Sequence, residues 1–122
     1  PVQWDLVTNA QVLTWAEHTE TTNLGACACA IIIAEHVTGH SVVSKARIRT
    51  GFDYWLGDAS NAGLFQNKAR LEVSGIRSGN ESQIRARVVS KQKQTTVSDA
   101  TQLPAFVVVL EFSRPAAAVT ER

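Results

Sequence analysis

The hydrophobic pattern changes period in the middle of the chain. Between residues 68 and 76, Ala69, Leu71 and Val73 fall on one face and Arg70, Glu72 and Ser74 on the other, which predicts a strand. Residues 81–95 then follow helical spacing, with Ile84, Val88, Lys91 and Thr95 on one stripe. Asn80 supplies an N-cap there, and Glu81 a first-turn negative charge. Lys91 on the inward stripe is unexpected in a helix that only packs. Residues 105–112 are apolar on both faces, as in an interior strand covered from both sides.

Upstream, residues 24–37 are apolar almost all round and predict a helix buried on most sides. The Ile31–Ile33 run alone would suit a strand, but its Ala-rich flanks and the segment's length favour a helix. Gly39 provides the stop. Glu35 lies near that end, on the face of Ala28, Ile31 and Ile32. Residues 41–50 alternate, with Val42, Ala46 and Ile48 opposite Lys45, Arg47 and Arg49, and 52–56 form a second short strand before a polar loop over 58–63. At the N-terminus, Asn9 is expected to cap a short helix through Val12, Leu13, Trp15 and Ala16, with 19–23 a connection and Trp4 and Trp15 over the core edge. Residues 98–104 read as a loop, and the tail from Pro115 as frayed.

The expected order is therefore helix, three strands, helix, strand: an α/β fold with a mixed central sheet flanked by helices and an N-terminal helical extension. The 122 residues suit one domain, 1–122 with its core at about 24–112, since two domains would leave neither enough interior. With 44% hydrophobic and 19% charged residues, the composition is that of a globular protein.

The formal net charge of +1 rules out a global field that draws in a polyanion, so any basic surface must be local. Two local clusters exist, Lys45, Arg47 and Arg49 on the first strand, and Arg85, Arg87, Lys91 and Lys93 on the second helix. Both are candidate phosphate contacts; the alternative is a solvated sheet face and helix face. Cys27 and Cys29, two residues apart on a helix, point about 200° apart and cannot bridge, and they lack the second ligand pair of a zinc site. Reduced, buried thiols and a cytoplasmic setting are expected. The first residues lack a secretory leader pattern, and the apolar stretch at 24–34 is shorter than the roughly 20 residues a bilayer span needs, so a membrane is not an expected partner. An edge strand and exposed Trp residues are what association into a homodimer would use.

Candidate chemistry rests on acids placed inside apolar strands, where an ionised side chain is costly unless it is paired or holds a cation. Asp53 lies in Gly51-Phe52-Asp53-Tyr54-Trp55 and Glu72 in Arg70-Leu71-Glu72-Val73-Ser74. On neighbouring strands the two carboxylates could converge on an oxygen-rich pocket for Mg²⁺, with Lys91 near an attacking water. Each has a structural counterpart. Asp53 could stabilise the Gly51 turn, Glu72 could pair with Arg70 or Arg47, Glu35 could be a solvated helix-end acid, and Lys91 could extend its ammonium to water.

The element order and these residues resemble the PD-(D/E)xK nuclease superfamily over residues 24–112. The resemblance implies Asp53 as the acid of the second core strand, Glu72 as that of the third, and Glu35 as the helix acid that supports metal binding. It departs at Ser74, where the superfamily's lysine would stand two residues after Glu72. Some divergent members supply that lysine from the second core helix, and Lys91 fits such a migration. The implied activity is Mg²⁺-dependent cleavage of nucleic acid, with Lys45, Arg47, Arg49 and Arg85 as backbone contacts. The alternative is a nuclease-fold protein without catalysis that serves as a nucleic-acid-binding or assembly module.

Overall fold

A computed structural model describes residue 3, residues 5–60 and residues 67–122. Trp4 and the end of the loop expected over 58–63 lie outside them. In chain order the elements are α1 (Asn9–Thr14), α2 (His18–Thr38), β1 (Ser41–Lys45), β2 (Tyr54–Gly57), β3 (Asn67–Ile76), α3 (Glu81–Thr95), a 3₁₀ turn (Thr96–Thr101), β4 (Ala105–Glu111) and β5 (Ala116–Glu121). The strands form one mixed sheet in the order β1-β2-β3-β4-β5. β1, β2 and β3 form an antiparallel meander, β4 runs parallel to β3, and β5 returns antiparallel to β4. The parallel step needs a crossover, and α3 supplies it.

The two faces of β3 are covered by different helices. Ala69, Leu71 and Val73 join Leu56, Val108 and Leu110 in a core cluster with Ala26, Ala30 and Ala34 of α2. Arg70, Glu72 and Ser74 turn the other way and bond to α3 and the segment behind it. The alanines recur every four residues, so α2 presents a strip without bulk and sits close to the sheet. The approach is tightest at Gly75, where a Cβ would lie 2.7 Å from the Thr22 carbonyl oxygen and 3.0 Å from the Ala26 Cβ. Gly75→Ala is therefore expected to lower stability by about 1–3 kcal/mol, the usual cost of overpacking, measured as a lower urea midpoint at unchanged slope.

Several boundaries differ from those expected. α2 begins at His18, because the Glu17 carboxylate accepts the free N–H groups of Thr19 and Glu20; the expected connection at 19–23 is its first turn. Nor is α2 buried on most sides. Leu24, Ile32 and Val37 are exposed, since only the alanine strip and its flanking Cys27, Cys29 and Ile33 pack on the core. Thr8, not Asn9, caps α1 in a capping box with Gln11. No residue of α1 is buried, and Trp15 is half exposed rather than covering the core.

β1 stops at Lys45, and residues 46–50 turn instead of continuing the strand. The turn is set by Arg49 and Gly51, both at positive φ, and it leaves Ile48 exposed. The expected loop at 98–104 begins as the 3₁₀ turn. The expected frayed tail is strand β5, in register with β4 from Phe106↔Glu121 to Glu111↔Ala116. Its alanines carry little hydrophobic signal, so the order comes from backbone pairing. The Arg122–Asp99 ion pair at 2.6 Å fastens its end.

Candidate functional site

Unequal strand lengths create the site. β2 pairs with β3 only as far as Tyr54↔Leu71, whereas β3 continues beside β4 to Ile76. Past Leu71, β3 therefore has a neighbour on one side alone. The notch is closed at its start by Asp53. Its N–H donates to the Leu71 carbonyl at 2.9 Å, its carbonyl accepts the Ala46 N–H at 2.8 Å, and its Oδ2 accepts the otherwise unpaired Val73 N–H at 2.8 Å. Continuing the register by one residue sets Asp53 opposite Glu72, and directly opposed residues of an antiparallel pair share a face.

Glu72 is 1% exposed. Its Oε1 accepts from Lys91 Nζ at 2.6 Å and from Gln94 Nε2 at 3.0 Å, and Gln94 Oε1 accepts from the same ammonium at 3.1 Å. Its Oε2 is buried without any hydrogen-bond partner. Burial pushes the Glu72 carboxyl up to about 7; Lys91 counters this, and the Asp53 carboxylate raises it further. One carboxylate oxygen thus carries an ammonium and an amide and the other has no hydrogen-bond partner, an arrangement costly to keep buried.

A cavity of about 250 Å³ opens at the notch, lined by Asn23 and Cys27 of α2, Asp53, Val73, Ser74 and Gly75, and Lys91 of α3. Ser74 cannot stand in for a lysine, because its hydroxyl accepts from Arg87 at 2.8 Å. A second cavity of about 420 Å³ shares Asp53 and Gln94 with this site and is lined by Lys45, Arg47 and Arg49. Arg49 lines it from a left-handed backbone, φ +74°, which costs a non-glycine residue roughly 1–2 kcal/mol.

Asp53, Glu72 and Lys91 therefore come together, with Lys45, Arg47 and Arg49 beside them, although Arg47 and Arg49 project from a turn and not from a strand face. Two expected residues do not join. Glu35 lies eight residues beyond Cys27 along α2, about 12 Å at the helical rise, exposed and bonded to Ser41. The face it shares with Ala28 and Ile32 points away from the sheet, because the alanine strip is the inner one. Arg85 is exposed and pairs with Glu81 one turn earlier. Lys91 is no bare snorkelling side chain, and Glu72 pairs with neither Arg70 nor Arg47.

Gln94 was not singled out from the sequence. The available signal was its spacing of three residues from Lys91, which puts both on one helix face. Among the described residues, no three His, Cys, Asp or Glu side chains lie close enough together to hold a metal ion by themselves. No described helix is long and apolar enough to cross a membrane. No protein-family model matches the chain, no curated protein matches its sequence and no solved structure matches its fold.

Proposed function

We propose that this chain is a divalent-metal-dependent phosphodiesterase of the PD-(D/E)xK type acting on nucleic acid. The observation that carries the reading is the bare Oε2 of buried Glu72 beside the Asp53 carboxylate. A cation between them would satisfy the orphan oxygen and remove the repulsion between the two acids. Two carboxylates with the remaining positions left to water suit Mg²⁺, which keeps much of its hydration when bound to proteins. When bound there, the metal would supply a more acidic water and neutralise charge on a phosphodiester.

The chain's own groups fit that chemistry. Lys91 projects into the notch cavity and shares its ammonium between Glu72 and Gln94, so it is oriented before any substrate arrives. It would position the attacking water and stabilise charge on the phosphoryl oxygens. Asp53 is held by its backbone on two sides, which fixes its carboxylate for metal binding. The order helix, three strands, helix, strand, with helices on both faces of a mixed sheet, supports the same family reading. The reading without catalysis draws on one observation, Ser74 in the place of the superfamily's lysine; Lys91 at 2.6 Å from Glu72 is the answer to it.

Calorimetric titration with Mn²⁺ tests the proposal. Wild type should bind and the Asp53→Ala, Glu72→Ala double variant should not, while remaining folded by circular dichroism. Absence of binding by wild type would sink the catalytic reading. Affinity should also depend on pH. The metal favours ionised Glu72, whose carboxyl is raised to about 7, so binding must displace a proton below that pH. The dissociation constant should rise about tenfold for each pH unit below 7 and be constant above it. A flat profile between pH 5.5 and 8 would mean that Glu72 is not a ligand.

A further inference from the structure

The notch cavity has basic neighbours on two sides. On one side, through Asp53, lies the cavity of Lys45, Arg47 and Arg49. On the other, through Asn23 and Gly75, lies a third cavity of about 320 Å³ lined by His18, Arg77 and Arg87. The three adjoin in series, because neighbouring cavities share lining residues. Lys45, Arg47, Arg49, Arg77 and Arg87 have no carboxylate at ion-pair distance among the described residues, whereas Arg70, Arg85, Lys91 and Arg122 all do. Lys93 and Arg114 also have no carboxylate at ion-pair distance among the described residues and line none of the three cavities, so five such cations lie along the series against two elsewhere, in a chain whose formal net charge is only +1. Arg87 is also held in place by its bond to Ser74 Oγ.

We infer that Arg77 and Arg87 form a second phosphate subsite, so that one polynucleotide strand runs through the notch with backbone phosphates held on both sides of the reacting position. This deepens the proposed function and takes from it the location of the reacting phosphate at Asp53 and Glu72. Arg77 lies four residues beyond Val73, whose N–H meets Asp53, or at most about 14 Å of extended chain. Phosphates along a strand are no closer than roughly 3.4 Å, the axial rise of duplex DNA, so that interval holds at most about four nucleotides. A mononucleotide would reach only one side. The ligand is therefore an internal stretch of strand, and the expected cleavage is internal. The shared chemistry is the phosphodiester backbone, which DNA and RNA both offer.

The test is fluorescence anisotropy with a labelled 20-nucleotide single strand, as DNA and separately as RNA, in EDTA and across a salt series. Wild type should bind with a steep salt dependence. Arg77→Ala, Arg87→Ala should lower the log–log slope by about 1.4, and Lys45→Ala, Arg47→Ala, Arg49→Ala by about 2, at roughly 0.7 per single-strand phosphate contact. The strand with the tighter wild-type binding identifies the source. An unchanged slope in the Arg77, Arg87 variant overturns the inference, as does absence of binding by wild type at low salt. Should the double variant fail to fold, Arg77→Glu decides, since Arg77 is exposed and its side chain makes no hydrogen bond to any described residue. Cleavage is scored apart, with Mn²⁺ and a circular single strand. Both slopes falling without any cleavage would refute the phosphodiesterase reading and leave the two-sided track standing; cutting of linear but not circular strands would refute passage of an internal stretch of strand through the notch.

Discussion

On the function proposed above, Glu72→Gln should abolish metal-dependent cleavage, and in the metal-free protein it should raise stability at pH 8. Loss of a metal-binding carboxylate should slow the reaction by about 10³-fold or more, equivalent to roughly 4 kcal/mol of lost transition-state stabilisation. The stability effect follows from linkage. The ordinary Glu value is 4.5, and in the fold Glu72 is raised to about 7. A carboxyl raised in this way favours folding when protonated, so its cost is absent below about 4.5, grows between there and 7, and is complete above. That cost is of the order of 3 kcal/mol, and Gln removes it while still filling the space. The difference in melting temperature between Glu72→Gln and wild type should therefore be positive at pH 8 and close to zero at pH 5. Equal destabilisation of the variant at both values would show that the Lys91–Glu72 pair is there for structure.

Arg70→Leu should have the largest effect on folding itself. The guanidinium is 3% exposed and donates to Thr95 O at 3.0 Å, Ser98 Oγ at 2.8 Å, and Leu103 O through two nitrogens, with Asp99 at 3.4 Å. It thereby ties the start of β3 to the end of α3 and to the strand entry after it. Leucine removes all of these charge-assisted bonds and leaves the Leu103 carbonyl without its donor, while Thr95 O keeps the Ser98 hydroxyl and Asp99 keeps Arg122, at a cost of about 3–5 kcal/mol. Arg70→Lys should recover only part of this, because an ammonium cannot reproduce the planar fork. Thr95 immediately follows Gln94, so a loosened helix end should also release the Gln94 amide from Glu72. Chemical denaturation checks the first effect. The second should appear as weaker Mn²⁺ binding at a temperature where the variant is still folded.

The parts of the fold legible in the sequence were those whose side chains carry a period. β3 and α3 could be placed because one alternates and the other repeats every three to four residues, and β4 because it is apolar on both faces. β5 escaped because Ala116, Ala117 and Ala118 are too small to mark a face, and its order comes from hydrogen bonds to β4. The start of α2 escaped because it depends on one carboxylate accepting two N–H groups. In the site, Asp53, Glu72 and Lys91 stood out because charge is costly in an apolar element. Gln94 is neutral and did not. The choice of Glu35 failed on orientation, since an alanine strip sets the inner face of α2 more firmly than its isoleucines do. The bare oxygen of Glu72 has no sequence signature at all; it arises from where β2 stops.

The polar inner face of β3 also bears on how the chain emerges during synthesis. α2 and the β1–β3 meander are complete before α3 exists, and the parallel partner β4 comes later still. A half-made sheet with an apolar second face would at that stage be a ready surface for aggregation. Here the waiting face offers water a guanidinium, a carboxylate and a hydroxyl, Arg70, Glu72 and Ser74, and its partners Lys91, Arg87 and Thr95 all arrive together on one helix. This polar face should thus keep the nascent intermediate wettable until α3 closes over it, so the Glu72 carboxylate that costs the finished protein stability protects it while it is unfinished.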